Sequence, residues 1–259
     1  MMAPTAWNGN EENYFQLAHR AVAPEKFGEY HAVFDGSKSR IVPEYILGTL
    51  VEHLGYEQAH TLARIFMALL YAITISLFFQ AVGLGVLNSL LVVVIFRLMG
   101  EEILGGEWLF QGVEGKTFSY AFVFLGLYFV HKSRWYLAVL CAVLASYMHF
   151  LVGMLWGGCI VLLAGIAARS LIMTIRCGIM MALLLIPLLA IIFSEQLGHS
   201  GPRISADGYS VDYIYSVIRN SHHLAPFKSL SSTWSWAPGI LLVVLLAALL
   251  AALWRMAQL

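Results

Sequence analysis

Polar and apolar positions divide this chain into two unequal parts. Residues 8–60 mix charges, glycines and scattered apolar residues, whereas long apolar runs separated by shorter polar stretches dominate from about residue 61 onward. In the first part, Asn10-Glu11-Glu12 caps a short helix carrying Tyr14, Phe15, Leu17 and Ala18. Asp35-Gly36 marks a turn. Ile46, Leu47, Leu50, Val51 and Leu54 then recur at helical spacing, with Pro43 in the first turn and Glu44, Glu52 and His53 elsewhere on the surface. That pattern predicts an amphipathic helix lying on a bilayer surface or on a bundle.

The second part predicts apolar helices over 61–80, 84–99, 117–130, 135–148, 150–168, 175–193 and 236–254, with a break at Gly83 and Gly85. Several are shorter than the roughly 20 residues of a full span. The pair meeting at Tyr147-Met148-His149-Phe150 reads either as two short spans or as one span and a re-entrant piece. The polar stretches at 100–116 and 195–235 are expected as outer loops. Arg64 and Arg97 lie near helix ends and are expected to snorkel.

Composition makes the class firm. Of 259 residues, 60% are hydrophobic and 12% charged, about half the charge of an average soluble domain, and mean hydropathy is +0.77. The expected class is all-α: a polytopic transmembrane helix bundle with a polar, partly helical extracytoplasmic first loop. Residues 1–60 form that loop, and 61–259 form the bundle of about six to seven helices. Net charge is zero, which implies no bulk attraction to nucleic acid. Cys141, Cys159 and Cys177 lie inside apolar runs, so they form neither a disulfide framework nor a metal spacing.

Charge placement orients the expected bundle. Alternating the spans puts Lys132, Arg134, Arg169, Arg176 and Arg255 on one side with no acid, and that side is expected to be cytoplasmic. The acidic residues fall on the other side, among basic residues that include Arg97 and Lys116. Both long polar segments then face outward. Residues 1–7 have neither the basic start nor the apolar stretch of a signal peptide, so a leading transmembrane helix is expected upstream to carry residues 8–60 across.

Candidate chemistry clusters in the outer segments. Glu11 and Glu12 suit a general base for a sugar hydroxyl or ligands for a divalent cation beside a phosphate, and equally a solvated helix start. Arg219, His222 and His223 suit a lipid-phosphate site, or a polar loop ended by Pro226. Lys116, after Glu114 and Gly115, can contact a phosphate or form an ion pair with a neighbouring acid. His149 can line a cavity or bond a carbonyl at the interface. No P-loop, dinucleotide glycine signature, zinc motif or serine elbow is present.

The run Asn10-Glu11-Glu12-Asn13-Tyr14, followed by an amphipathic outer segment and a polytopic bundle, resembles the GT-C superfamily of membrane glycosyltransferases and, within it, uncharacterised bacterial members. The resemblance implies an inverting transferase in the bacterial inner (cytoplasmic) membrane. It would use a polyprenyl-phosphate-linked sugar donor and a glycan or protein acceptor, with membrane lipids around it. Glu11 and Glu12 occupy the place of the catalytic acids, which would also hold Mg or Mn if a metal is used. The pair here is Glu-Glu, and the superfamily's first helix and C-terminal soluble domain have no counterpart in the sequence. A non-catalytic membrane scaffold or an inactive fragment is the alternative. A transporter or flippase would need mid-helix charges or paired repeats.

Overall fold

The computed structural model describes residues 7, 11–27, 40–98, 109 and 112–198, with side chains to 194. The chain divides into two units, and the described residues other than 93–98 belong to the first, Met1–Val92 with Leu109–Gly198. The described residues are helical and contain no strand. In order they form α1 (Glu11–Val22), a 3₁₀ turn (Pro24–Phe27), α2 (Ile41–Leu54), α3 (Tyr56–Ala81), α4 (Val86–Leu98), α5 (Gly115–His131), α6 (Trp135–Met148), α7 (Phe150–Ala167) and α8 (Leu171–Gly198).

Two boundaries differ from the sequence reading for identifiable reasons. α3 begins at Tyr56 rather than near residue 61, because Gly55 (φ 77°) turns the chain sharply after α2 and the helix restarts at once. Its first turns contain Glu57, His60 and Arg64, but His60 and Arg64 point into the protein, so polar composition hid a continuous helix. α8 begins at Leu171 because the Ser170 hydroxyl accepts the Met173 N–H (3.2 Å), a side-chain N-cap. It continues through Pro187, a residue that membrane-type helices tolerate.

α5 to α8 pack as successive antiparallel hairpins. Their core is Ala138, Val139, Ala142 and Val143 of α6 with Ile160, Val161 and Ala164 of α7 and Cys177, Met181, Leu185 and Leu188 of α8. Small residues set the spacing. A Cβ on Gly153 of α7 would lie 2.1 Å from the Ser146 backbone, so α6 and α7 touch backbone to backbone just after His149. The 147–150 junction is therefore a tight helical hairpin. Tyr71 of α3 donates to the Thr117 carbonyl (2.8 Å), holding α3 beside the start of α5.

Outward faces are apolar. Leu69 and Ile73 of α3, Leu155 and Leu162 of α7, and Ile172, Ile179 and Leu183 of α8 are each more than half exposed. Three helical stretches, Tyr56–Ala81, Phe150–Ala167 and Leu171–Ser194, are long and apolar enough to cross a membrane, whereas Val86–Leu98 and Trp135–Met148 are shorter. α1 and α2 pack on each other, and a Cβ at Gly48 would meet the Ala18 carbonyl at 2.0 Å.

Candidate functional site

The carboxylates whose side chains are described, Glu11, Glu12, Glu25, Glu44, Glu52, Glu57 and Glu114, lie in α1, the 3₁₀ turn, α2, the first turn of α3 or the N-cap of α5. They gather with their cations at one end of the bundle. This polar end is built on Glu11, the first residue of α1, whose side chain has no exposed surface.

Four donors converge on Glu11. Arg64 reaches it with Nη2 (2.5 Å to Oε2) and Nε (3.2 Å to Oε1). His60 Nε2 lies 3.1 Å from Oε2, and the Val113 N–H donates to Oε1 at 2.7 Å. His60 and Arg64 are one helical turn apart on α3 and so share a face. Trp7 stacks on the His60 ring at 4.0 Å, and Phe15 meets both rings edge-on, which removes the cluster from water. Such a carboxylate is satisfied as an ion, because desolvation is offset only when charges are paired and hydrogen-bonded. Arg64, expected to snorkel, is instead 4% exposed and bonded inward. The reason is that its partner sits on a helix packed over the start of α3.

Glu12 is on a different, exposed face of α1. Consecutive helical residues point about 100° apart, so seating Glu11 inside turns Glu12 out, where it is exposed and contacts the Gln16 amide at 3.5 Å. The two acids therefore do not share one site.

A second group adjoins the first along α1. The Arg40 guanidinium lies 4.6 Å from the centre of the Tyr14 ring, and its Nε is 3.5 Å from Glu44. Burial pushes the Tyr14 hydroxyl up from its usual value; nearby Glu114 and Glu44 push the same way, and Arg40 opposes them. Glu44, expected on the surface, is 8% exposed because the N-terminal turns of α2 pack inward. Lys116 Nζ lies 3.8 Å from Glu114, with the Lys116 side chain 13% exposed. The Glu114 N–H donates to the Thr117 hydroxyl (3.0 Å), which starts α5 two residues before the apolar run. Gly115 is pinned between Pro43 and the Met148 carbonyl, so Lys116 lies near the α6–α7 junction.

His149 caps that junction. It ends α6, and its Nδ1 accepts the Val152 N–H at 3.4 Å, a local helix-starting bond. On the far side of α1, Glu52 accepts from Lys26 (2.6 Å) and pairs with His19 (2.8 Å), whose other ring nitrogen meets the Tyr56 hydroxyl (2.8 Å). The bonds from Lys26 and then His19 hold the Glu52 carboxyl below its usual range.

The structure thus brings Glu11, Lys116 and His149 to one end of the bundle, with Glu12 on its surface. Arg219, His222 and His223 lie outside the described residues. Sequence reading missed Tyr14 and Arg40 as site residues and missed His60 as the partner of Glu11. The only signal for His60 was its one-turn spacing from Arg64. No three His, Cys, Asp or Glu side chains among the described residues group around a point that could hold a metal ion, and Glu11 and Glu12, the ligands expected if a metal is used, point apart. No protein-family model matches the chain, and comparisons with curated proteins and with solved structures give no match.

Proposed function

We propose that this chain is a polytopic integral membrane protein that transfers a sugar from a polyprenyl-phosphate donor at its polar end, which faces outward. The observation that carries the reading is the Val113–Glu11 hydrogen bond, made across 102 residues of sequence. It joins the first polar segment, from which the resemblance draws its acids, to the segment leading into Lys116, the candidate phosphate contact.

The geometry redistributes the roles. Glu11 is an anchor: a general base needs to approach the proton it takes to within about 3 Å, and Glu11 is enclosed by its own donors. Glu12 is the exposed carboxylate beside it and takes the role of base toward an acceptor hydroxyl. Lys116, with Arg40 nearby, supplies positive charge for the leaving phosphate, where preorganised cations stabilise developing negative charge. No step is assigned to a metal ion.

The test is sugar transfer by the purified full chain in bilayers, using a synthetic polyprenyl-phosphate sugar. Glu12→Gln should lose transfer at least a hundredfold, the usual scale for a general base, with an unchanged melting temperature. Full activity in that variant removes the proposed base. A non-catalytic membrane scaffold is the second reading, favoured by the same enclosure of Glu11. It predicts that wild type transfers no sugar while Glu11→Gln still destabilises the fold.

A further inference from the structure

The opposite end of the bundle carries a groove with its own chemistry. It is an open groove between α6 and α8 of about 440 Å³, lined by Leu140 with Arg176, Ile179, Met180, Leu183 and Leu184. α6 and α8 run parallel, so both enter from the same end. The Tyr147 hydroxyl donates to the Leu184 carbonyl (3.1 Å) and ties the two helices together at the far end.

We propose that this groove binds an anionic phospholipid, with the phosphate on Arg176 and one acyl chain along Ile179, Leu183 and Leu184. Three observations commit it to that occupant. First, Arg176, Ile179 with Met180, and Leu183 with Leu184 recur at helical spacing, so one face of α8 changes from cationic to apolar along its length. Second, the eight helical steps from Arg176 to Leu184 span about 12 Å at the rise of an α-helix, close to the roughly 15 Å hydrocarbon depth of one leaflet. Third, the charge along these stretches of sequence is of one sign. Residues 131–140 and 168–180 contain Lys132, Arg134, Arg169 and Arg176 and no carboxylate. A net-negative headgroup therefore suits this end better than a zwitterionic one.

A covering apolar helix fits less well. It would seal Arg176 against hydrocarbon without a counter-charge, whereas a lipid leaves the guanidinium at headgroup level. The wall residues Leu140, Ile179, Leu183 and Leu184 are each about 40 to 60% exposed, as bilayer-facing residues are. The inference requires that α8 crosses a membrane; it does not require sugar transfer.

The test is native mass spectrometry of the purified full chain with added phosphatidylglycerol or phosphatidylcholine carrying identical acyl chains. Wild type should retain phosphatidylglycerol preferentially. Arg176→Ala should lower that retention about fivefold, the effect of one interfacial cation, and leave phosphatidylcholine retention unchanged; Arg176→Lys should restore it. Leu183→Trp, which fills the groove from an exposed position, should reduce retention of both lipids. Unchanged phosphatidylglycerol retention in Arg176→Ala or in Leu183→Trp overturns the proposal. So does failure of wild type to retain either lipid while Ile179→Cys resists a lipid-soluble maleimide in bilayers, since the groove is then covered by protein. Melting of each variant at the wild-type temperature shows that the fold is intact.

Discussion

The two ends of the α5–α8 bundle handle charge in opposite ways. At the end where α5 and α7 begin, charged side chains are drawn inward and matched: Glu11 with Arg64 and His60, Glu44 with Arg40, Glu114 with Lys116. At the other end, Lys132, Arg134, Arg169 and Arg176 are exposed, and helices α7 and α8 meet through small residues instead. Desolvated, paired charges are specific and costly to break, whereas exposed charges of one sign contribute little to stability. The first end is thus built to hold an arrangement of distant segments. The second is built to present a positive surface.

The largest expected effect tests the buried pair. Arg64→Ala leaves Glu11 enclosed without its main counter-charge, and loss of one partner from a buried ion pair costs about 3–5 kcal/mol. Thermal or denaturant unfolding of the full chain in detergent should show it. The double variant Glu11→Leu with Arg64→Met should recover most of the loss, since apolar replacement of both partners is often near neutral. A wild-type melting temperature for Arg64→Ala would mean that the polar end is held by something other than this pair.

The bundle's other end should respond to volume rather than charge. A Cβ on Gly165 would fall 1.6 Å from Thr174 Oγ1, so Gly165→Ala forces α7 and α8 apart. Overpacking of this kind costs about 1–3 kcal/mol. Thr174→Ala removes the nearest atom and should restore part of the stability when combined with Gly165→Ala, measured by the same unfolding assay. If the two changes prove additive, the contact does not govern the helix spacing.

This contrast also marks what sequence could convey. α6 falls on 135–148 as its pattern predicts, and α7 ends within one residue of expectation, because Arg134 and His149 bound uninterrupted apolar runs. Local periodicity suffices where a helix is apolar all along. It failed at α3, where His60 and Arg64 read as polar surface because their partner lies 49 and 53 residues away. The same non-local contact separated Glu11 from Glu12: adjacency suggested a paired site, while burying one face of α1 sends its neighbours in different directions. Lys116 and His149 were legible as polar residues at helix starts. The close packing of the α5 start on α2 and on the end of α6 depends on Gly115 beside Pro43 and Met148, which no spacing reveals.

A smaller effect comes from the exposed part of the polar end. Lys26 and His19 lower the Glu52 carboxyl below its reference value of 4.5. The folded state then binds that proton less readily than the unfolded chain. The resulting stability is present above about pH 4.5 and is lost as pH falls through the lowered folded value. Glu52→Gln should therefore flatten this part of the acid limb in unfolding curves from pH 6 to 3. Because the pair is exposed, added salt should diminish the wild-type slope. An equally steep acid limb in Glu52→Gln would assign it to other carboxylates.

The smallest stability effect belongs to the basic end, and it separates stability from orientation. Lys132 is exposed in the α5–α6 turn, with its ammonium 5.9 Å from the Tyr128 ring. Lys132→Cys should shift unfolding by no more than about 0.5 kcal/mol, as surface changes away from caps and cores do. The new thiol also reports sidedness under the proposed membrane reading. Lys and Arg in short loops are retained in the cytoplasm, so a membrane-impermeant maleimide should label it in inside-out vesicles and not in intact cells. Glu12→Cys, at the polar end, should label in the reverse pattern. Labelling of both positions from the same side would place the two ends together and remove the outward-facing site, while leaving the Arg64–Glu11 anchor and the Gly165–Thr174 contact to be judged on stability alone.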